Sequence, residues 1–180
     1  MATKTNFNYG NQLINYHSQA SNFARSKGIK VINCPLIFKP DMSNNPNRGL
    51  GALKLCADGQ LFVQDTWNSA FCDKMAPQPG DLAVSGRAGF NAFLDSNLSE
   101  LLDESGITTL VLAGFLTNCC VESTMRTAYE MGYNVIAITD CCATMGIEGH
   151  KAAILGTFNW FSEPVTLDQF KMKFDKGCEV

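Results

Sequence analysis

The segment Leu110–Ala137, LVLAGFLTNCCVESTMRTAYEMGYNVIA, constrains this chain more than any other. Its apolar run Leu110–Ala113 stops at Gly114, and a polar corner then sets two adjacent cysteines, Cys119 and Cys120, at the mouth of a helix. Gly132 ends that helix, and a second apolar run follows at Val135–Ile138. Strand, helix and strand in this order predict a parallel pair, because parallel strands need a crossover connection. Ligands of such sheets bind beyond the carboxyl ends of the strands, where both cysteines fall. A thiol at a helix N-terminus meets unpaired backbone N–H groups and the positive end of the helix dipole, which favour the thiolate. The segment reads as a nucleophilic cysteine on an α/β scaffold.

With 180 residues the chain fits one domain, able to bury roughly two-thirds or more of its potential surface. A net charge of -3 and a pI near 5.3, with scattered lysines and arginines, offer no basic field to nucleic acid or anionic lipid. No run approaches the ~20 apolar residues of a membrane span, and Met1–Tyr9 is polar rather than signal-like. The expectation is a cytoplasmic protein with a small-molecule substrate and neither a nucleic-acid nor a membrane partner. The eight cysteines could suggest a disulfide framework, but two pairs are adjacent (119/120 and 141/142), which is awkward geometry within each pair. Their spacing matches no zinc motif, and the two histidines, His17 and His150, lie far apart. No metal and no cofactor is expected, and Cys34, Cys56 and Cys72 read as small buried hydrophobes.

Along the chain, Leu13, Ile14, Ala20, Phe23 and Ala24 predict an amphipathic helix over Asn11–Ser26, ended by Gly28. Ile29–Cys34 reads as a strand stopped before Pro35, and Lys39–Asn47 as a loop. Leu50–Cys56 predicts a short helix, Leu61–Val63 a small strand, and Trp67–Met75 a helical stretch capped by Thr66. Asp81–Ser85 is the next strand, entering the loop Gly86-Arg87-Ala88-Gly89 with Phe90 and Phe93 as anchors. Ser96 opens a helix over Asn97–Glu104. After the central unit, Thr139–Thr144 reads as a strand-to-helix corner in which Asp140 caps the following turn. A helix through Gly149–Phe158, a strand at Glu163–Val165 and a helix over Thr166–Phe174 complete the reading. Short apolar strands alternating with helices predict an open α/β sheet covered on both faces. A starting helix is unusual in such a fold.

The ordered set in LAGFLTNCCVESTMRTAYEMGYNVIAITDCCA resembles the isochorismatase-like cysteine hydrolases. A glycine-ended strand leads to Thr117-Asn118-Cys119-Cys120-Val121, a helix with Thr124, Ala128 and Gly132, and Asp140 after the next strand. The segment Ala76–Asp81 and the loop ending in Phe93 also match, so the resemblance covers roughly residues 28–170. It implies a three-layer α-β-α fold with a mostly parallel open sheet, in one domain over residues 1–180. It also implies hydrolysis of carbon–nitrogen bonds, or of a vinyl ether, by a Cys, Asp and Lys set, and assembly into dimers or tetramers. The cysteine before Val121 matches the nucleophile, which places it at Cys120 with Cys119 beside it. Backbone N–H groups of Leu116, Thr117 and Cys120 match an oxyanion hole, with a cis peptide near Leu116–Thr117. Phe38, Trp67, Phe90, Phe93 and Phe115 are candidates for an aromatic pocket, with core packing an equal alternative.

Two departures qualify the resemblance. The family's first strand, with its aspartate, would lie upstream of Met1, so the chain is N-terminally truncated relative to the family. Asp41, Asp58 and Asp65 fall elsewhere and read as loop carboxylates. Loss of a central strand leaves unpaired backbone groups costing about 1–3 kcal/mol each, so the sheet must close up, or Met1–Tyr9 or a partner chain fill the slot, unless the sequence itself is truncated. Arg87 stands at the lysine position, judged by its six-residue offset before Phe93, and guanidinium does not release its proton. Three functions compete: a small-amide cysteine hydrolase, active or weakened by the missing aspartate, a non-catalytic binding or assembly protein, and a redox-active thiol protein. On the cysteine helix, Glu122 and Arg126 at i and i+4 predict an ion pair. Met125, Tyr129 and Met131 are candidate subunit-contact residues with interior packing as the alternative.

Overall fold

The computed structural model describes residues Lys4–Asp175, with side chains from Gly10 onward, and Cys178 lies outside this range. The chain resolves into two compact units: one is Ile32–Gly106, the other the flanking segments up to Val31 and from Ile107.

The unit of flanking segments is built on a parallel sheet in the order β3-β4-β5, from β3 (Thr109–Phe115), β4 (Asn134–Ala143) and β5 (Glu163–Val165). Helix α1 (Lys4–Ser26) brings Tyr16, Ala20 and Phe23 onto Ile136, Ile138, Cys141, Val165, Leu167 and Phe170. It extends further toward the N-terminus than the apolar spacing predicts. Lys4–Tyr9 are therefore helical and do not supply a strand. Gly28, at φ 71, ends α1 by a double bond back to the last turn, Gly28 N–H to the Arg25 carbonyl at 3.1 Å and Ile29 N–H to Ala24 at 2.9 Å. Gly132, at φ 90, ends α4 (Glu122–Glu130) in the same way, through Tyr129 at 3.0 Å and Ala128 at 3.1 Å.

β5 has the predicted bounds, whereas β4 runs on to Ala143 and absorbs most of the corner read at Thr139–Thr144. Helices α5 (Ile147–Ala153) and α6 (Asn159–Phe161) follow, joined by a wider turn over Ile154–Phe158. Asp140 is a correction to the sequence reading. Its Oδ1 accepts the Leu167 N–H at 2.8 Å, so it caps α7 (Leu167–Asp175) rather than the turn after its own strand. A capping box completes that helix start, with Thr166 N–H to Gln169 Oε1 at 2.8 Å and Gln169 N–H to Thr166 Oγ1 at 3.2 Å.

In the other unit, β1 (Ile32–Asn33) pairs in parallel with β2 (Leu82–Ala83), both shorter than the apolar runs suggested. Leu61–Val63 contributes only an isolated bridge, Val63 to Phe38. Phe38, Met42, Cys56, Val63 and Ala88 form its core, with α2 (Gly51–Asp58) supplying Cys56. The expected helix over Trp67–Met75 is instead two separate turns, Trp67–Ser69 and Asp73–Met75. Thr66 Oγ1 donates backward to Val63 at 2.6 Å, so the hydroxyl closes a loop instead of starting a helix. Helix α3 (Leu98–Glu104) ends this unit with Leu98 and Leu102 buried.

Two measurements test this packing. Replacing Asp140 with Ala should lower the urea midpoint by an amount worth about 1 kcal/mol, and Asp140→Asn should recover most of it, as expected for a lost helix cap. His17, on α1, hydrogen-bonds the Cys141 backbone, and its burial lowers its basicity below the ordinary 6.5. The unfolded chain then binds the proton more readily than the folded one. The neutral ring's contribution is complete above about 6.5 and lost as pH falls through the depressed folded value. Urea midpoints should drop as pH falls below about 6.5, and His17→Gln should make that drop shallower.

Candidate functional site

The register of β3 on β4 positions the thiol corner. The strands pair evenly from Thr109 opposite Asn134 to Leu112 opposite Ala137, then the register jumps, and Gly114 faces Cys142 and Phe115 faces Ala143. The Phe115–Leu116 peptide is cis, one residue earlier than the position expected. A five-residue wide turn, Thr117–Val121, leads directly into α4. The Leu116 carbonyl gathers this turn, accepting from Cys119 N–H at 3.2 Å and Val121 N–H at 3.1 Å. Asn118 (φ -89, ψ 19) departs from helical geometry inside it. Thr117 is fully buried, Asn118 exposed, and Cys119 and Cys120 half-buried.

Behind the turn, Val121, Thr124, Met125 and Ala128 form the buried face of the helix, so Met125 is interior while Tyr129 and Met131 are exposed. The Glu122–Arg126 ion pair forms as predicted, at 2.9 Å, with the guanidinium 4.5 Å from the Phe161 ring centroid. Tyr129 meets Phe161 edge-on at 5.6 Å.

Thr117 Oγ1 lies 2.9 Å from His150 Nδ1 on α5. Thr144 Oγ1 donates to Asn118 Oδ1 at 2.7 Å. The sequence offered His150 only as one of two histidines lying far apart, with no role at the thiol turn. Its helix carried no local signal of a tie to a turn 33 residues upstream.

Of the remaining candidates, Phe115 ends β3 and is 54% exposed. Arg87, Phe90, Phe38 and Trp67 belong to the other unit. Arg87 is buried, and its guanidinium holds three backbone carbonyls: Gly89 through Nε at 3.1 Å, Phe90 through Nη2 at 2.7 Å, and Cys34 through Nη1. It thereby staples its own loop to the residue after β1. Phe90 is half-buried, Phe38 sits in the core described above, and Trp67 is 91% exposed on its short turn.

Three of the other thiols, Cys141, Cys142 and Cys34, are chemically quiet. Burial pushes Cys141 up to about 12, with the Asp140 charge adding to it. Burial also pushes Cys142 to about 12 and Cys34 to about 11. Such thiols are almost wholly protonated near neutrality. Among the described residues no cysteine is disulfide-bonded among the seven, and no group of three or more His, Cys, Asp or Glu is placed to hold a metal ion. No described helix is long and apolar enough to cross a membrane.

The Isochorismatase domain family model matches residues 6–169. The ureidoacrylate amidohydrolase RutB of Methylobacterium radiotolerans is 36% identical over 111 residues, 59% of this chain and 43% of that protein. The chain spans about half the length of the curated relatives it matches. An isochorismatase-like hydrolase from Alkaliphilus metalliredigens aligns with a TM-score of 0.79 at 25% identity, covering 92% of this chain and 86% of that one. A cysteine hydrolase from Pseudomonas syringae pv. phaseolicola aligns at 0.81 with 19% identity, covering 93% of this chain and 82% of that one, a likeness of fold alone. The chain therefore belongs to the isochorismatase-like cysteine hydrolase superfamily and has its three-layer α/β/α fold with a mostly parallel sheet.

Proposed function

We propose that the chain hydrolyses the carbon–nitrogen bond of a small amide, of the ureido or carbamoyl class, with Cys120 as nucleophile. The observation that carries this reading is the half-buried Cys119-Cys120 pair on the turn where β3 ends, leading straight into α4. The thiolate attacks the carbonyl carbon, and backbone N–H groups of Leu116, Thr117 and Cys120 take the developing oxyanion charge. The amine or ammonia departs with the proton that the thiol released, and water then cleaves the S-acyl bond, a thiocarbamate for a ureido or carbamoyl substrate, to free a carbamic acid and the thiol. The name of the matched relative, an amidohydrolase of ureidoacrylate, supports the substrate class. A redox role gains little support, since the Cys141 and Cys142 thiols are raised to about 12.

A panel of ureido acids and carbamoyl amides, read by ammonia and amine release, tests the proposal. Turnover should fall about 10³-fold or more in Cys120→Ala and far less in Cys119→Ala. Equal rates for Cys120→Ala and the native chain would remove the assignment.

The second reading is a binding member of the superfamily without turnover, and Arg87 is what favours it. A guanidinium committed to three carbonyls serves the loop, not a proton transfer. If Arg87 is a staple, Arg87→Lys should lower the urea midpoint by an amount worth about 1.5–3 kcal/mol, as charged hydrogen bonds are lost. A full midpoint with abolished turnover would instead place this charge on the substrate.

A further inference from the structure

Two hydrogen bonds and one close approach link the segment Thr144–His150 to the two residues just before the cysteine pair. His150 Nδ1 meets Thr117 Oγ1 at 2.9 Å, and Thr144 Oγ1 bonds Asn118 Oδ1 at 2.7 Å. Gly149 lies so close that a Cβ there would stand 3.3 Å from Asn118 Nδ2. Thr117 is fully buried, so its hydroxyl depends on a protein partner. Asn118 (φ -89, ψ 19) is the one residue of the turn with non-helical geometry, so the clasp bonds the turn at its break. The positions on the β4 side of this clasp are not adjacent in sequence to the turn, and no strand pairing holds Thr117–Val121 in place.

We propose that the start of α5 is a clasp on the thiol turn and that His150 is a positioning residue for Cys120, acting through the Thr117 hydroxyl. The inference rests on Cys120 being the nucleophile. One proton is shared between Nδ1 and Oγ1, and partial burial lowers the basicity of His150, which keeps the ring neutral near pH 7. The clasp fixes the peptide groups from Leu116 to Cys120 and hence the direction of the thiol. A turn held in this way is preorganised before substrate arrives. Side chains that merely filled space at positions 117 and 150 would not supply that directional tie.

The test reads the thiol without requiring any substrate. Iodoacetamide labelling of Cys120 is followed by peptide mass spectrometry, with exposed Cys72 as the internal reference. His150→Ala and the isosteric Thr117→Val should each slow Cys120 labelling about tenfold at neutral pH, and the double variant should be no slower than either alone. His150→Asn places a polar atom where Nδ1 lies and should recover the native rate to within about threefold, whereas His150→Gln, which reaches the Nε2 position, should not. Where an amide is turned over, kcat should follow the labelling rate with KM little changed. Native labelling in Thr117→Val, additive losses in the double variant, or equal recovery by Asn and Gln would each overturn the clasp. Should His150→Ala fail to fold, Thr117→Val alone decides. Labelling that obeys these rules in a chain that hydrolyses no amide would leave the clasp standing and remove only the hydrolase reading.

Discussion

The pairing of β3 with β4 is the constraint on which the thiol-bearing unit depends. Four evenly registered residues lock the two strands together, and then four residues of β4, Ile138–Cys141, stand opposite the single Ala113. That excess lets β4 serve two masters. Ile138 is still paired with Val165 of β5, and Asp140 reaches the start of α7. When the strands rejoin at Gly114 and Cys142, β3 is aimed so that its next residues leave the sheet as a turn. An irregularity next to a functional corner is where a sheet commonly re-aims its side chains.

Polar side chains inside each unit act as long-range ties. Thr117 to His150, Asp140 to Leu167 and His17 to Cys141 join segments remote in sequence within one unit, and Arg87 to Cys34 does so in the other. Among the described residues no buried side-chain nitrogen or oxygen lacks a hydrogen-bond partner. Each such group left unpaired would cost about 1–3 kcal/mol, against a net stability of about 5–15 kcal/mol for a domain. These ties therefore specify which elements meet, while the apolar clusters around Phe170 and around Phe38 supply most of the driving force.

Some elements were legible because their cause is local. The apolar run into Gly114, the helix ending at Gly132, the strand Glu163–Val165 and the Glu122–Arg126 pair all follow from spacing within a few residues. Others were misread because a distant partner decides them. Trp67–Met75 reads as a helix behind a Thr66 cap, yet Thr66 turns back to Val63, and the segment breaks into two short turns. Ile29, Val31, Ile32 and Cys34 make Ile29–Cys34 look like a longer strand, but only Ile32 and Asn33 find partners, in Leu82 and Ala83. The carboxylate of Asp140 looked like a local cap and instead serves a helix that begins 27 residues later.

What the sequence determined by itself is the thiol corner and its scaffold, because a strand, a glycine stop and a helix with two cysteines at its mouth are written in adjacent residues. The motif also determined the superfamily, since that order of residues is specific. Only the tertiary structure decided the company those residues keep. The side chain that meets Thr117 comes from the helix after the next strand, and Arg87, a catalytic candidate by position, is drawn into three backbone carbonyls of its own unit. The physical reason is the same in both cases. A hydrogen bond requires its two partners within about 3 Å, and for groups far apart in sequence that separation is set by the packing of whole elements, which no local pattern encodes.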